Sequence, residues 1–218
     1  MEMANAIIVC GSGPSLTKVP FDEVGLPYAA VSTAIRYTHD PNYWLLVDHV
    51  SQPHQKNPAD PLQRGPGGDA AARDPRLRKV VPAHRRRYFA EMVNVTMVEC
   101  RSDLPFLADH EPGRPPQLNF GMGRSMLFAV EWLMKYGGYK TLVLAGVDLC
   151  DPPGVDRGPK ADRRREGRNR MHRVELGYLR QFHAIAVTRG FRWLNWTPGS
   201  PLGSFLEDFQ WTSTMRSS

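Results

Sequence analysis

The segment Ala6-Ile7-Ile8-Val9-Cys10-Gly11-Ser12-Gly13-Pro14-Ser15-Leu16 constrains the fold more than any other part of the chain. Five apolar residues in a row stop abruptly at two glycines, two serines and a proline. An apolar run without polar alternation reads as a strand buried on both faces, the habit of parallel sheets covered by helices. The glycines read as a tight turn, and Pro14-Ser15 as the start of a short helix reaching about Glu23.

The same grammar recurs. Residues 28–33 and 43–47 read as short strands, the second ending at Asp48 and His49. Residues 79–82 read as another, and 88–100 are rich enough in β-branched residues to hold one more. From Gly123 the spacing turns helical through Met126, Val130, Leu133 and Met134, and Tyr136-Gly137-Gly138 stops it. A near-continuous apolar strand over 140–148 follows, ending in Asp148. Val174, Tyr178, Phe182 and Ile185 share one face of a helix over 171–188, which Gly190 ends. Residues 191–196 read as the last strand, and Phe205, Phe209 and Trp211 as a tail that packs back on the body.

This alternation predicts an α/β fold, a single Rossmann-like domain over 1–218 with a mostly parallel sheet flanked by helices. The length suits one domain with a substantial core. Residues 51–76 and 104–117 read as irregular, and 151–170 as an arginine-rich loop, from their polar, Pro- and Gly-bearing composition.

The net charge of +6 favours anionic partners. The excess is local: residues 73–87 hold seven Arg or Lys and residues 157–173 hold eight. Both clusters read either as solvated loop charge or as an anion contact. The second, with Arg163, Arg164, Arg165, Arg168 and Arg170, suits a lid over phosphate. It carries neither a recognition-helix pattern nor interleaved aromatics, which disfavours nucleic-acid readout. Cys10, Cys100 and Cys150 are too far apart to form a metal knuckle and read as reduced thiols. No secretory leader and no apolar run long enough to span a bilayer is evident, so a cytoplasmic protein is expected.

Several residues carry candidate chemistry. Gly11, Ser12, Gly13 and Ser15 form either a phosphate-binding turn or a plain structural one. Pro14 breaks the dinucleotide fingerprint, and no Gly-Lys-Ser/Thr follows to make a P-loop. Gly121-Met122-Gly123-Arg124-Ser125 is a second glycine turn at a helix start, where Gly123, Arg124 and Ser125 either hold an anion or cap the helix. Asp48 and Asp148 end strands and suit a ribose, an acceptor, Mg²⁺ or a local cap. His172, between the arginine cluster and a helix, suits a general base, or is a packing histidine. The other histidines show no ligand spacing.

Three motifs together resemble a known superfamily, that of the bacterial CMP-sialic-acid-dependent sialyltransferases, the motility accessory factors and pterin-pyrophosphokinase-like proteins. They are Ile7 to Leu16, Gly138 to Asp148, and Pro198-Gly199-Ser200. The resemblance implies a nucleotide-binding turn at Gly11, Ser12, Gly13 and Ser15. It also implies a second-strand contact at Thr33, a helix-start site at Gly123 to Ser125, and a contribution from Ser200. The family's catalytic histidine corresponds to His172, 26 residues before Pro198. Ser12 and Thr33 stand where the family has asparagines, and Gly123 where it has serine.

The expectation is therefore a glycosyltransferase. It would move a sugar from a nucleotide-sugar donor to an acceptor hydroxyl, on a glycan or on a modified base in DNA, with no metal required. The alternatives are a Mg-dependent pyrophosphokinase acting on a small alcohol and a non-catalytic nucleotide- or nucleic-acid-binding protein. A homo-oligomer is compatible with either.

Overall fold

The apolar runs assemble into one sheet. The computed structural model describes residues 3, 5–47, 66–119, 125–149 and 161–211. Nine strands lie in it: β1 (Ala6–Cys10), β2 (Tyr28–Val31), β3 (Tyr43–Leu45), β4 (Arg78–Pro82), β5 (Val95–Arg101), β6 (Gln117–Asn119), β7 (Thr141–Ala145), β8 (Arg192–Trp196) and β9 (Glu207–Asp208). Their order is β6-β5-β4-β3-β2-β1-β7-β8-β9. Every pairing is parallel. The expectation of a mostly parallel α/β sheet holds, and the described strands are parallel throughout. The chain winds outward from β1 to β6, then returns to the other side of β1 and winds outward again to β9. β1 is therefore the strand at which the winding reverses.

The side-chain alternation of each strand divides the core in two. Ile7, Val9, Leu142 and Leu144 point to one face, with Trp132, Leu133 and Leu179 from helices α3 (Ser125–Lys135) and α4 (Ala161–Thr188). Ile8, Cys10, Val143 and Ala145 point to the other, covered by the shorter pieces of the first half. These are the 3₁₀ turns Pro14–Lys18, Ser32–Arg36 and Ala83–Tyr88, with helices α1 (Phe21–Val24) and α2 (Pro66–Arg73). All five residues of β1 are buried, as a strand covered on both faces requires.

Two regions expected to be irregular contain helix. Residues 66–73 form α2, with Pro66 in its first turn and the strong helix formers Ala70, Ala71 and Ala72 outweighing Gly67 and Gly68. Residues 161–170 form the first turns of α4 rather than loop. Arginine and glutamate are good helix formers whatever the apolar period. β6 and β9, three and two residues long, were not expected. The tail does pack back: Phe209 is buried against β8 and meets Trp196 edge-on.

The segment between β5 and β6 is tied to both long helices. Phe106 stacks on Phe182 of α4 with centroids 3.9 Å apart. Arg189 donates to the Leu107 carbonyl at 2.7 Å. The buried Glu131 of α3 accepts from the Leu107 N–H on Oε1 and from the Asn119 N–H on Oε2, both at 2.9 Å. Burial pushes the Glu131 carboxyl up from 4.5 to about 7, against those two donors and Lys135, which pull it down. A carboxyl raised in the folded state contributes most below its unfolded value, and that contribution is lost as pH rises through the folded value. Glu131→Gln removes the titration. Urea unfolding at pH 5 and pH 8 is expected to show wild type losing stability relative to Glu131→Gln as pH rises; parallel pH profiles would refute this.

Candidate functional site

In an open parallel sheet the crevice forms at the carboxyl edge where the winding reverses, here between the ends of β1 and β7. Two turns meet there and interlock. The Gly11 N–H donates to the Ala145 carbonyl and the Gly13 N–H to the Gly146 carbonyl, each at 2.8 Å. Ser15 donates to Oδ2 of Asp148 twice, from its hydroxyl at 2.8 Å and its backbone N–H at 3.3 Å. The amides of Gly11, Gly13 and Ser15 are thus engaged within the protein. The apex of the turn is Ser12, which is exposed.

The glycines are explained by this contact. A Cβ on Gly11 would lie 2.6 Å from the Gly146 carbonyl oxygen. A Cβ on Gly13 would meet the same oxygen at 2.6 Å and overlap the Asp148 carboxylate. Gly146, at φ +66°, would meet the Gly11 carbonyl oxygen at 2.5 Å. Close approach of two backbones is the reason for glycine at all three positions.

The β8 end joins the same rim. Thr197, buried, accepts from the Val147 N–H at 3.2 Å and donates to the Leu144 carbonyl at 3.4 Å. Ser200 donates to the Val147 carbonyl at 2.8 Å and accepts from the Leu202 N–H at 3.3 Å. On the other flank, Thr33 stands half-buried just after β2, in the turn Ser32–Arg36. Ser32 itself has φ +52°, and its carbonyl accepts from the Trp44 indole at 2.9 Å. Leu149, after β7, has φ +49°. Strained non-glycine backbone therefore flanks β1 on both sides at the carboxyl edge, a pattern common at functional sites. Further along, the Arg85 guanidinium donates to the Val47 carbonyl, joining the ends of β4 and β3.

Ser125 and His172 come to this edge by topology. A helix that follows a parallel strand starts at the carboxyl edge, so Ser125 opens α3 there. α4 has 28 residues, about 42 Å at ~1.5 Å per residue, whereas the five-residue strands beside it span only about 16 Å. Its amino-terminal half overhangs the edge and carries His172, partly buried. His183, eleven residues on, lies instead over the sheet between Trp193 and Phe205, where burial lowers its pKa. Asp48, Gly123 and Arg124 lie outside the described residues, as do the side chains of Arg163, Arg164, Arg165 and Arg168. Among the described residues no group of three or more His, Cys, Asp or Glu could hold a metal ion. No helix among them is long and apolar enough to cross a membrane. Cys10 and Cys100 are free, and burial pushes both thiols up, Cys100 to about 12.

No protein-family model and no curated protein sequence matches the chain. Among solved structures it is similar to a MAf glycosyltransferase from Magnetospirillum magneticum AMB-1, with a TM-score of 0.57 and 14% identity. The likeness covers 98% of this chain and 36% of the other, so the chain spans about a third of that protein. At this identity the likeness shows a shared fold.

The sequence marks Ser15 and Asp148 separately but not their bond to each other, and it gives no sign of the roles of Thr197, Ser32 and Arg85 at the rim. Nothing in a sequence reports a positive φ at serine. If the interlock holds the rim, Ser15→Ala and Asp148→Ala are each expected to cost about 1–3 kcal/mol. In a double-mutant cycle they should couple by about 1 kcal/mol in urea unfolding. Gly13→Ala, with no room to relax, is expected to cost about 3 kcal/mol or more. Additive single-mutant losses would show that the Ser15–Asp148 contact carries no energy of its own.

Proposed function

We propose that the chain is a glycosyltransferase that uses a nucleotide-activated donor, with its centre at the β1–β7 crevice. The observation that carries this reading is the crevice itself. A rim of interlocked turns stands at the reversal point of a parallel sheet, under an overhanging helix that bears a histidine, in a fold shared with a MAf glycosyltransferase.

The chemistry follows from the arrangement. The donor's phosphates rest beside the exposed Ser12 and the amino terminus of α3, where Ser125 and the helix dipole favour negative charge. Gly123 and Arg124 belong to the same helix start in sequence. Thr33 and Ser200 flank the nucleotide from the ends of β2 and β8. His172 removes the proton from the acceptor hydroxyl as its oxygen bonds to the anomeric carbon. The carbon–oxygen bond to the donor phosphate breaks at that centre, and the nucleotide leaves with the bonding pair. Arginines of the 157–170 cluster offset the charge growing on the leaving phosphate, a gain made mainly in the transition state. Asp148 acts here on the protein, holding Ser15, and no metal is needed for the step.

A panel of CMP-, UDP- and GDP-sugars read by thermal shift is the first test, since a ligand selective for the native state raises the melting temperature. One donor is expected to exceed its free nucleotide clearly. With that donor, radiolabel transfer to oligosaccharide and to hydroxymethylated DNA assigns the acceptor. His172→Ala is expected to lower kcat by about 100-fold or more with donor affinity unchanged. EDTA is expected to leave turnover intact, whereas a pyrophosphokinase would stop. Wild-type kcat in His172→Ala would remove His172 from the mechanism.

A further inference from the structure

The connection from β4 to β5 leaves part of β5 accessible among the described residues. Parallel strands are usually joined across a face by a helix of several turns. Residues 83–94 supply only the six-residue 3₁₀ turn Ala83–Tyr88 and irregular chain. Beneath them Val95 and Met97 of β5 remain partly exposed, as does Met92. A cavity of about 540 Å³ results, within the size range of small-molecule sites.

Its lining has two characters. Phe89, Met92, Val95 and Met97 make an apolar wall. Two of these are methionines, whose unbranched, polarisable side chains adapt to a flexible chain or a flat ring. His84 and Arg86 supply the polar side. Arg86 is exposed, and no carboxylate among the described residues pairs with it. Burial and the neighbouring Arg85 hold the His84 pKa below its ordinary 6.5, and Arg86 carries the charge of this side.

We propose that this cavity binds a small amphipathic anion, its apolar part on Phe89, Met92, Val95 and Met97 and its carboxylate or phosphate at Arg86. The site is separate from the crevice. It lies three to four strands from β1, about 15–20 Å at ~4.8 Å per strand. It rests on no part of the glycosyltransferase reading.

The test is calorimetric titration of the full chain with decanoate. One saturable site is expected, with decanol and inorganic phosphate each binding about tenfold or more weakly. Arg86→Ala is expected to raise the Kd for decanoate about tenfold, and Ala90→Trp, at the cavity wall, to abolish binding. Thermal shift by the nucleotide-sugar panel should be unchanged in Arg86→Ala, which separates this site from the crevice. Sedimentation with phosphatidylglycerol vesicles distinguishes a bilayer source: retention on vesicles without saturable decanoate binding would overturn the proposal. Equal affinity for decanol, or a Kd for decanoate unmoved by Arg86→Ala, would overturn it as well.

Discussion

The rim of the crevice depends on two backbones being allowed to touch. The turn after β1 and the turn after β7 bond directly, amide to carbonyl, at Gly11–Ala145 and Gly13–Gly146. Side chains at Gly11, Gly13 or Gly146 would forbid the approach. Once the turns meet, Asp148 is placed to receive both donors of Ser15, and Leu16 is carried down into the core of the opposite face. The glycines serve the contact between strands first, and any ligand reaches the rim from above it.

That contact organises what surrounds it. β1 and β7 pair over all five residues of each strand, so the two turns leave the sheet at the same level. β8 continues the register, and Thr197 and Ser200 reach back to the β7 turn with side-chain hydroxyls. Three successive strand ends are stitched by short polar bonds in a largely buried setting, where each bond is costly to lose unpaired. On the α3/α4 face, Glu131 performs a comparable task at a distance, holding the 104–109 segment and β6 to α3 with its two carboxylate oxygens.

Much of this was legible in the residues. Unbroken apolar runs marked β1 and β7, because strands buried on both faces have no polar alternation to obscure them. The Gly137-Gly138 stop and the spacing of Met126, Val130 and Leu133 marked α3. Where expectation and structure differ, composition points one way and conformation the other. The 161–170 segment is polar throughout its sequence, yet its arginines favour helix all the same. α2 opens with Pro66-Gly67-Gly68, which reads as loop until the three following alanines are weighed against it. β6 and β9 are too short to carry a period and exist because a neighbouring strand edge is available. At the site, Ser15 and Asp148 were recognised as candidates, but their partnership spans 133 residues and is a property of the strand order alone. The strained Ser32 is held by Trp44 from the adjoining strand, a tertiary effect with no local signature.

The two sides of the crevice differ mechanically. The rim is fixed by bonds among strand ends, whereas residues 170–178 of α4 include no fully buried residue. Met171 and Val174 are 48% and 44% exposed. Leu176 and Tyr178 pack only partly buried against the core, and segments with few buried apolar contacts occupy the low end of local stability. His172 therefore stands on the more adjustable of the two elements, and Ser15 and Asp148 on the more rigid. In the proposed reaction, the base that takes the acceptor's proton gains from such freedom. A surface that must present the same geometry to every donor gains from its absence. The division follows from strand order and helix length, because a 28-residue helix on five-residue strands has to extend past the layer that supports it.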